Sequence, residues 1–175
     1  MDVQGPDYTQ EKRQLFERLV QTYQGPLLRT CFLYLRDLAQ AEDAVQETFL
    51  KAYRNLEGFR GESSEKTWLI SIAMNTCRDM RKSAWYRLYN RSVTPDMLPA
   101  AQVEPEEFDD SLLLAVMNLP TKLREVVLMY YYHDLSTIEI AKVLGIARPS
   151  VSGRLQRARA KLKTLLERME ADEGP

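Results

Sequence analysis

What this chain of 175 residues has little of already narrows its function. It carries one histidine, His133, and two cysteines, Cys31 and Cys77, which form no CxxC pair. Zinc sites draw three or four such ligands from short spacings, so neither a metal nor another cofactor is expected. Two separated thiols suit a reducing compartment. No apolar run nears the ~20 residues that cross a bilayer. The start, MDVQGPDYTQEKRQ, is polar and acidic, unlike a secretory leader. A cytoplasmic place without membrane insertion is therefore expected. Catalytic sets are missing too. His133 beside Asp134 invites an acid–base reading, but no nucleophile or second base accompanies the pair. A loop-capping role is expected instead, with no enzyme activity and no small-molecule substrate. There is no strand alternation and no repeat, which leaves an all-α fold. The net charge of −1 gives no overall attraction to polyanions.

What is present is helical periodicity and local charge. Apolar residues at 45% suffice for packed cores. A first helix is expected over 9–23, broken by Gly25-Pro26, and a second over 27–36, rich in Leu28, Cys31, Phe32, Tyr34 and Leu35. Asp37 caps a third helix, with Gln40 at the capping-box position. Its inner face is Ala41, Val45, Phe49, Ala52, Tyr53 and Leu56; its outer face carries Glu42, Asp43, Gln46, Glu47 and Lys51. After a loop, EGFRGESS, a fourth helix runs over 67–84, with Trp68, Leu69, Ile72, Ala73, Thr76 and Met80 to one side. Pro95, Pro99 and Pro105 then interrupt an acidic stretch, which reads as a linker over 92–108. Two small helical domains result, 1–91 and 109–175. The second starts with a helix capped by Asp109 or Asp110 and another opened by Leu119-Pro120-Thr121.

The segment 136–163, STIEIAKVLGIARPSVSGRLQRARAKLK, organises the second domain. Ser136 and Glu139 form a capping box, and Gly145 ends the helix in the left-handed conformation. Pro149 suits the first turn of the next helix. That helix sets Val151, Leu155, Ala158, Leu162, Leu165 and Met169 on one stripe, against Ser150, Ser152, Gly153, Gln156, Arg157 and Lys161. Seven Lys or Arg meet one acid between residues 148 and 168. This is the pattern of a helix-turn-helix whose second helix enters the major groove, although a helical hairpin with a solvated basic face has the same outline.

Three motifs in one order carry a family resemblance: AEDAVQETFLKAYRNLEGF, FRGESSEKTWLISIAMNTCRDMRK and LPTKLREVVLMYYYHDLSTIEIAKVLGIARPSVSGRLQRARAKL. Together they resemble a bacterial RNA polymerase sigma factor of the extracytoplasmic-function (ECF) group, in the sigma-70 superfamily. The resemblance implies a four-helix N-terminal sigma domain 2 and a C-terminal sigma domain 4, joined by a flexible linker. It implies core RNA polymerase as partner, through the clamp helices of its largest subunit and its flap, with Asp43, Gln46, Glu47 and Phe49 as contacts. It implies promoter DNA: the −10 element, taken as a flipped base and melted strand by Arg60, Gly61, Glu62, Ser63, Ser64, Asn75, Arg78 and Arg81. The −35 duplex would be met by Arg148, Ser150, Ser152, Gly153, Gln156 and Arg157. An anti-sigma factor is a further implied partner. Arg154, Arg159 and Lys163 would hold phosphates or stay solvated. The chain departs from the family pattern at Glu65, where an aromatic is frequent, and at Ser152 and Gly153. A stand-alone helix-turn-helix regulator and a protein-interaction module remain alternatives, though neither accounts for FRGESSEKTWL.

Overall fold

A computed structural model describes residues 6–83 and 110–172, with side chains from residue 9 onward. The expected linker, 92–108, lies outside the described residues. Those described are helical in two groups. The first holds α1 (Pro6–Leu35), α2 (Leu38–Asn55), a 3₁₀ turn (Leu56–Gly58) and α3 (Glu65–Lys82). The second holds α4 (Asp110–Met117), α5 (Thr121–Val127) running into a π-helical turn (Leu128–Tyr132), α6 (Thr137–Leu144) and α7 (Arg148–Asp172).

The expected break at Gly25-Pro26 does not occur: α1 passes through Pro26. Proline there removes one backbone hydrogen bond and costs about 3 kcal/mol. The apolar period explains why the helix continues. Leu19, Leu27 and Cys31 stay in phase across the proline, and all three are buried. The Thr30 hydroxyl also donates to the Pro26 carbonyl at 3.0 Å. Burial of an apolar stripe on both sides outweighs the local penalty.

Side-chain caps fix the starts of α2 and α3. The Asp37 side chain accepts from the Gln40 amide at 2.9 Å and starts α2. Ser64 does the same for α3, accepting from Thr67. Ala41, Ala44, Ala52 and Ala73 are fully buried, and such small side chains let the first three helices pack closely. Cys31 and Cys77, far apart in sequence, meet in this core: a hydrogen bond to the Cys31 thiol, with burial, raises the Cys77 thiol well above its usual range.

In the second group α4, α5 and α6 pack on the Val151, Leu155 and Ala158 stripe of α7. The two groups also share a seam, α1 lying on α4 and α5 and α3 on α6, so that their buried residues form one continuous core.

Candidate nucleic-acid interface

The loop between α2 and α3 is held at both ends. Gly61 takes φ +72°, a left-handed turn that suits glycine. At the far end Ser64 caps α3, its hydroxyl 2.9 Å from that of Thr67. Phe59 stacks on Trp68 with ring centroids 4.7 Å apart and 27° between planes. Above this aromatic pair lies an open recess of about 400 Å³, lined by Gly58, Phe59, Arg60, Glu62, Ser63 and Trp68. Arg60, Gly61, Glu62, Ser63 and Ser64 thus come together around it, with Arg60, Gly61, Glu62 and Ser64 exposed. The lining includes what an unpaired base could use, namely aromatic rings, the polar groups of Glu62 and Ser63, and the cation of Arg60.

Phe59 and Trp68 lie outside the set of residues the sequence points to, Trp68 being expected on the core-facing side of its helix. The signal was an aromatic on each side of a glycine-bearing loop. Glu65, an unfavourable charge beside a phosphate chain, turns away from the recess. It takes a two-pronged hydrogen bond from Arg18 at 2.7 and 2.9 Å, which holds its carboxyl below the usual range.

Asn75 is exposed on α3. The two other expected −10 residues of that helix are engaged. Arg78 lies 3.8 Å from the buried Glu125 of α5, and the Arg81 guanidinium sits 5.9 Å from the Tyr34 ring centre. Burial pushes the Glu125 carboxyl up, against the pull of Arg78, Arg154 and Arg81.

In the helix-turn-helix both halves of the capping box form. The Ser136 amide donates to Glu139 at 2.8 Å and the Glu139 amide to Ser136 Oγ at 3.2 Å. These bonds, the backbone one foremost, lower the Glu139 carboxyl. Gly145 has φ +64° and ends α6. Arg148, Ser150, Ser152, Gln156 and Arg157 are exposed on the first turns of α7, and Gly153 is half-buried. Arg148 Nε donates to Thr137 Oγ1 at 3.0 Å and Arg157 Nε to the Gly153 carbonyl at 3.2 Å, which hold both guanidinium groups close to the helix. A methyl group added at Gly153 would meet nothing within 4 Å. The expectation for Arg154 is corrected, since it donates to the buried Glu125 at 2.8 Å; Arg159 stays exposed and donates to the Tyr131 hydroxyl at 2.6 Å. Lys163 pairs with Glu167 on the surface at 3.9 Å.

On α2, Asp43 and Gln46 are exposed and Glu47 is half-buried beside Lys51 at 3.8 Å. Phe49 is not a surface contact. It is 8% exposed and meets the Phe16 ring edge-on, because its position belongs to the inner stripe. Tyr53, expected inside, is instead 45% exposed, and Leu50 is 51% exposed. Asp43, Gln46, Leu50 and Tyr53 recur every three or four residues, so they form one outer ridge. Leu50 was legible as an apolar residue out of phase with Val45, Phe49 and Ala52.

His133 is buried and lies 2.6 Å from Thr30 Oγ1. The hydroxyl thus sits between the imidazole and the Pro26 carbonyl, which lies 3.0 Å away. Burial, then the charge of Lys66, lowers the His133 pKa to about 4. Asp134 is not its partner; it reaches Lys66 at 3.9 Å. Among the described residues no three His, Cys, Asp or Glu gather as a metal site, and no helix is long and apolar enough to cross a membrane.

An aromatic-lined recess in one helical group and a helix-turn-helix in the other stand in one chain. Sigma-70 region 2 matches residues 19–87, and Sigma-70, region 4 matches residues 109–162. The ECF RNA polymerase sigma factor SigW of Bacillus subtilis (strain 168) is 30% identical, over 86% of this chain and 88% of its own length. The chain belongs to the ECF sigma factors of the sigma-70 family. Among solved structures, CnrH in complex with the cytosolic domain of CnrY is 27% identical, with a TM-score of 0.64 over 89% of each chain. The sigma factor RpoE, in complex with the anti-sigma factor NepR from Bartonella quintana, shares the fold at 23% identity, with a TM-score of 0.65 over 93% of this chain and 98% of that one.

Proposed function

We propose that this chain directs promoter-specific transcription initiation as a sigma subunit of RNA polymerase, reading the −10 and −35 elements with separate helical groups. One observation carries the reading: a strand-sized recess over Phe59 and Trp68 occurs in the same chain as a capped helix-turn-helix, in the family's order. In the first group Arg60, Gly61, Glu62, Ser63 and Ser64 receive an everted base of the non-template strand, and Asn75, Arg78 and Arg81 line the path of the melted strand. Melting needs no chemical step. Capture of unstacked bases offsets the few kcal/mol lost on unstacking. In the second group Arg157 takes guanine O6 and N7, Gln156 an adenine edge, and Arg148, Ser150, Ser152 and Gly153 approach the backbone.

The α2 ridge of Asp43, Gln46, Leu50 and Tyr53, with Glu47 at its margin, docks on the polymerase clamp helices. Its polar rim and exposed apolar centre suit a reversible protein interface. The second group meets the polymerase flap. The chain is a cytoplasmic regulator, not an enzyme, and needs no cofactor. An anti-sigma factor is its further partner, a reading supported by the like-folded RpoE being bound to one.

Run-off transcription with purified core polymerase tests this. Adding the chain yields a transcript from a defined start. A chain without affinity for core that yields no such transcript contradicts the proposal, and tight dimeric binding to a palindromic duplex would favour a stand-alone regulator.

A further inference from the structure

The seam between the two helical groups is polar at its centre as well as apolar. Arg124 and Glu125, adjacent on α5, are both buried and face opposite partners. Arg124 donates to the carbonyls of Leu33 and Tyr34 at 3.2 and 3.0 Å, where the C-terminal end of α1 carries its partial negative charge. It also donates to the Leu119 carbonyl at 3.2 Å. Glu125 is held by Arg154 at 2.8 Å and points its other oxygen at Arg78 of α3, 3.8 Å away. Three more contacts run along the seam: Thr30 with His133 at 2.6 Å, Thr67 with Glu139 at 3.1 Å and Lys66 with Asp134 at 3.9 Å.

We propose that Arg124 and Glu125 form an interdomain latch that keeps the free chain closed, with Glu125 standing in for a promoter phosphate at Arg78. The inference rests on the two-site reading above and goes beyond it. A strand cannot occupy Arg78 while α5 covers it. Size makes the same point independently. A compact chain of this length has a radius of gyration of roughly 16 Å. The two promoter elements lie about 25 base pairs apart, or roughly 85 Å at 3.4 Å per step. The closed form therefore cannot hold both. The stretch 84–109 has a contour of at most roughly 90 Å, enough to let the groups part. Arg154 acts as a positioning residue: it stays on Glu125 when Arg78 leaves, because both belong to the second group.

The test uses the full chain. In Lys66→Cys/Asp134→Cys, the two thiols are joined by a reductant-cleavable bis-thiosulfonate, Cys31 and Cys77 being buried. The linked chain with core polymerase should give at least tenfold less promoter transcript than the same protein after reduction. Glu125→Gln keeps the shape but loses the charge. It should raise the solution radius measured by small-angle scattering, and raise affinity of the free chain for a −10 non-template oligonucleotide several-fold. Equal transcription by linked and reduced protein, or a Glu125→Gln chain with unchanged radius and oligonucleotide affinity, overturns the latch. If no form of the chain supports transcription, the sigma reading fails, and the scattering comparison still decides the latch.

Discussion

At the scale of single residues, Gly153 and His133 give contrasting tests. Gly153 sits inside α7 with free space where a side chain would be. Nothing in the fold requires glycine there, so Gly153→Ala should stabilise the chain by up to about 1 kcal/mol, visible as a rise of a few degrees in thermal midpoint. A fall would mean that the site holds a neighbour or a strain not seen in the structure. His133 works the other way. Its pKa is lowered from 6.5 to about 4 by burial and by Lys66. Above pH 6.5 both folded and unfolded chains carry it neutral. Between pH 6.5 and 4 the unfolded chain takes up a proton that the folded chain refuses, so stability falls with pH, by up to about 3 kcal/mol at pH 4. Denaturant melts across this range should show the loss in the wild type and a smaller loss in His133→Gln. The Cys31 and Cys77 thiols should resist an aqueous thiol reagent in the native protein and react only on unfolding, since both are buried from the reagent and the Cys77 group is raised.

At the scale of elements, the α2–α3 loop shows how local chemistry makes a site. Phe59→Ala removes one ring of the stacked pair that lines the recess. Stacking of a base on an aromatic is worth about 1–3 kcal/mol, so affinity of the holoenzyme for a −10 non-template oligonucleotide should drop roughly 5- to 150-fold. Arg18→Ala leaves Glu65 without its two-pronged partner, and the released carboxylate should weaken the same binding while −35 duplex binding stays constant. Elements with strong local signals were legible in the sequence. The Ser136–Glu139 box, the Gly145 stop and the α7 stripe all stand where the residues placed them. The misreadings came where tertiary packing overrode a local rule. Pro26 failed to break α1 because the buried stripe runs through it. Tyr53 left the inner stripe because an inner face read by period alone is uncertain by one position on a helix, whereas Phe49 keeps its inner place and loses only the contact role that the resemblance implied. Glu125 had no sequence signal at all, because its two arginines lie in distant helices.

At the scale of the whole molecule, the groups combine two incompatible demands. As separate readers they must reach promoter elements far apart, yet the structure packs them along a seam with buried charges. The family's order of motifs made the two groups legible in advance. The seam was not, because it depends on contacts between residues far apart in the chain, such as Arg78 with Glu125, Arg124 with Leu33 and His133 with Thr30. Buried Arg124 and Glu125 are costly unless each is paired, so the closed arrangement is specific in its contacts.

The division of labour is the central claim, and one titration tests it. Holoenzyme is reconstituted with core polymerase on a promoter carrying 2-aminopurine in the −10 non-template strand. The opening rate followed against holoenzyme concentration separates initial binding from opening. With Arg157→Ala the half-saturating concentration should rise roughly 5- to 150-fold, as loss of a bidentate base contact requires, with the limiting rate kept. With Asn75→Ala the limiting rate should fall and half-saturation should stay. Loss of the same parameter in both variants, or no opening with the wild-type chain, would contradict the account.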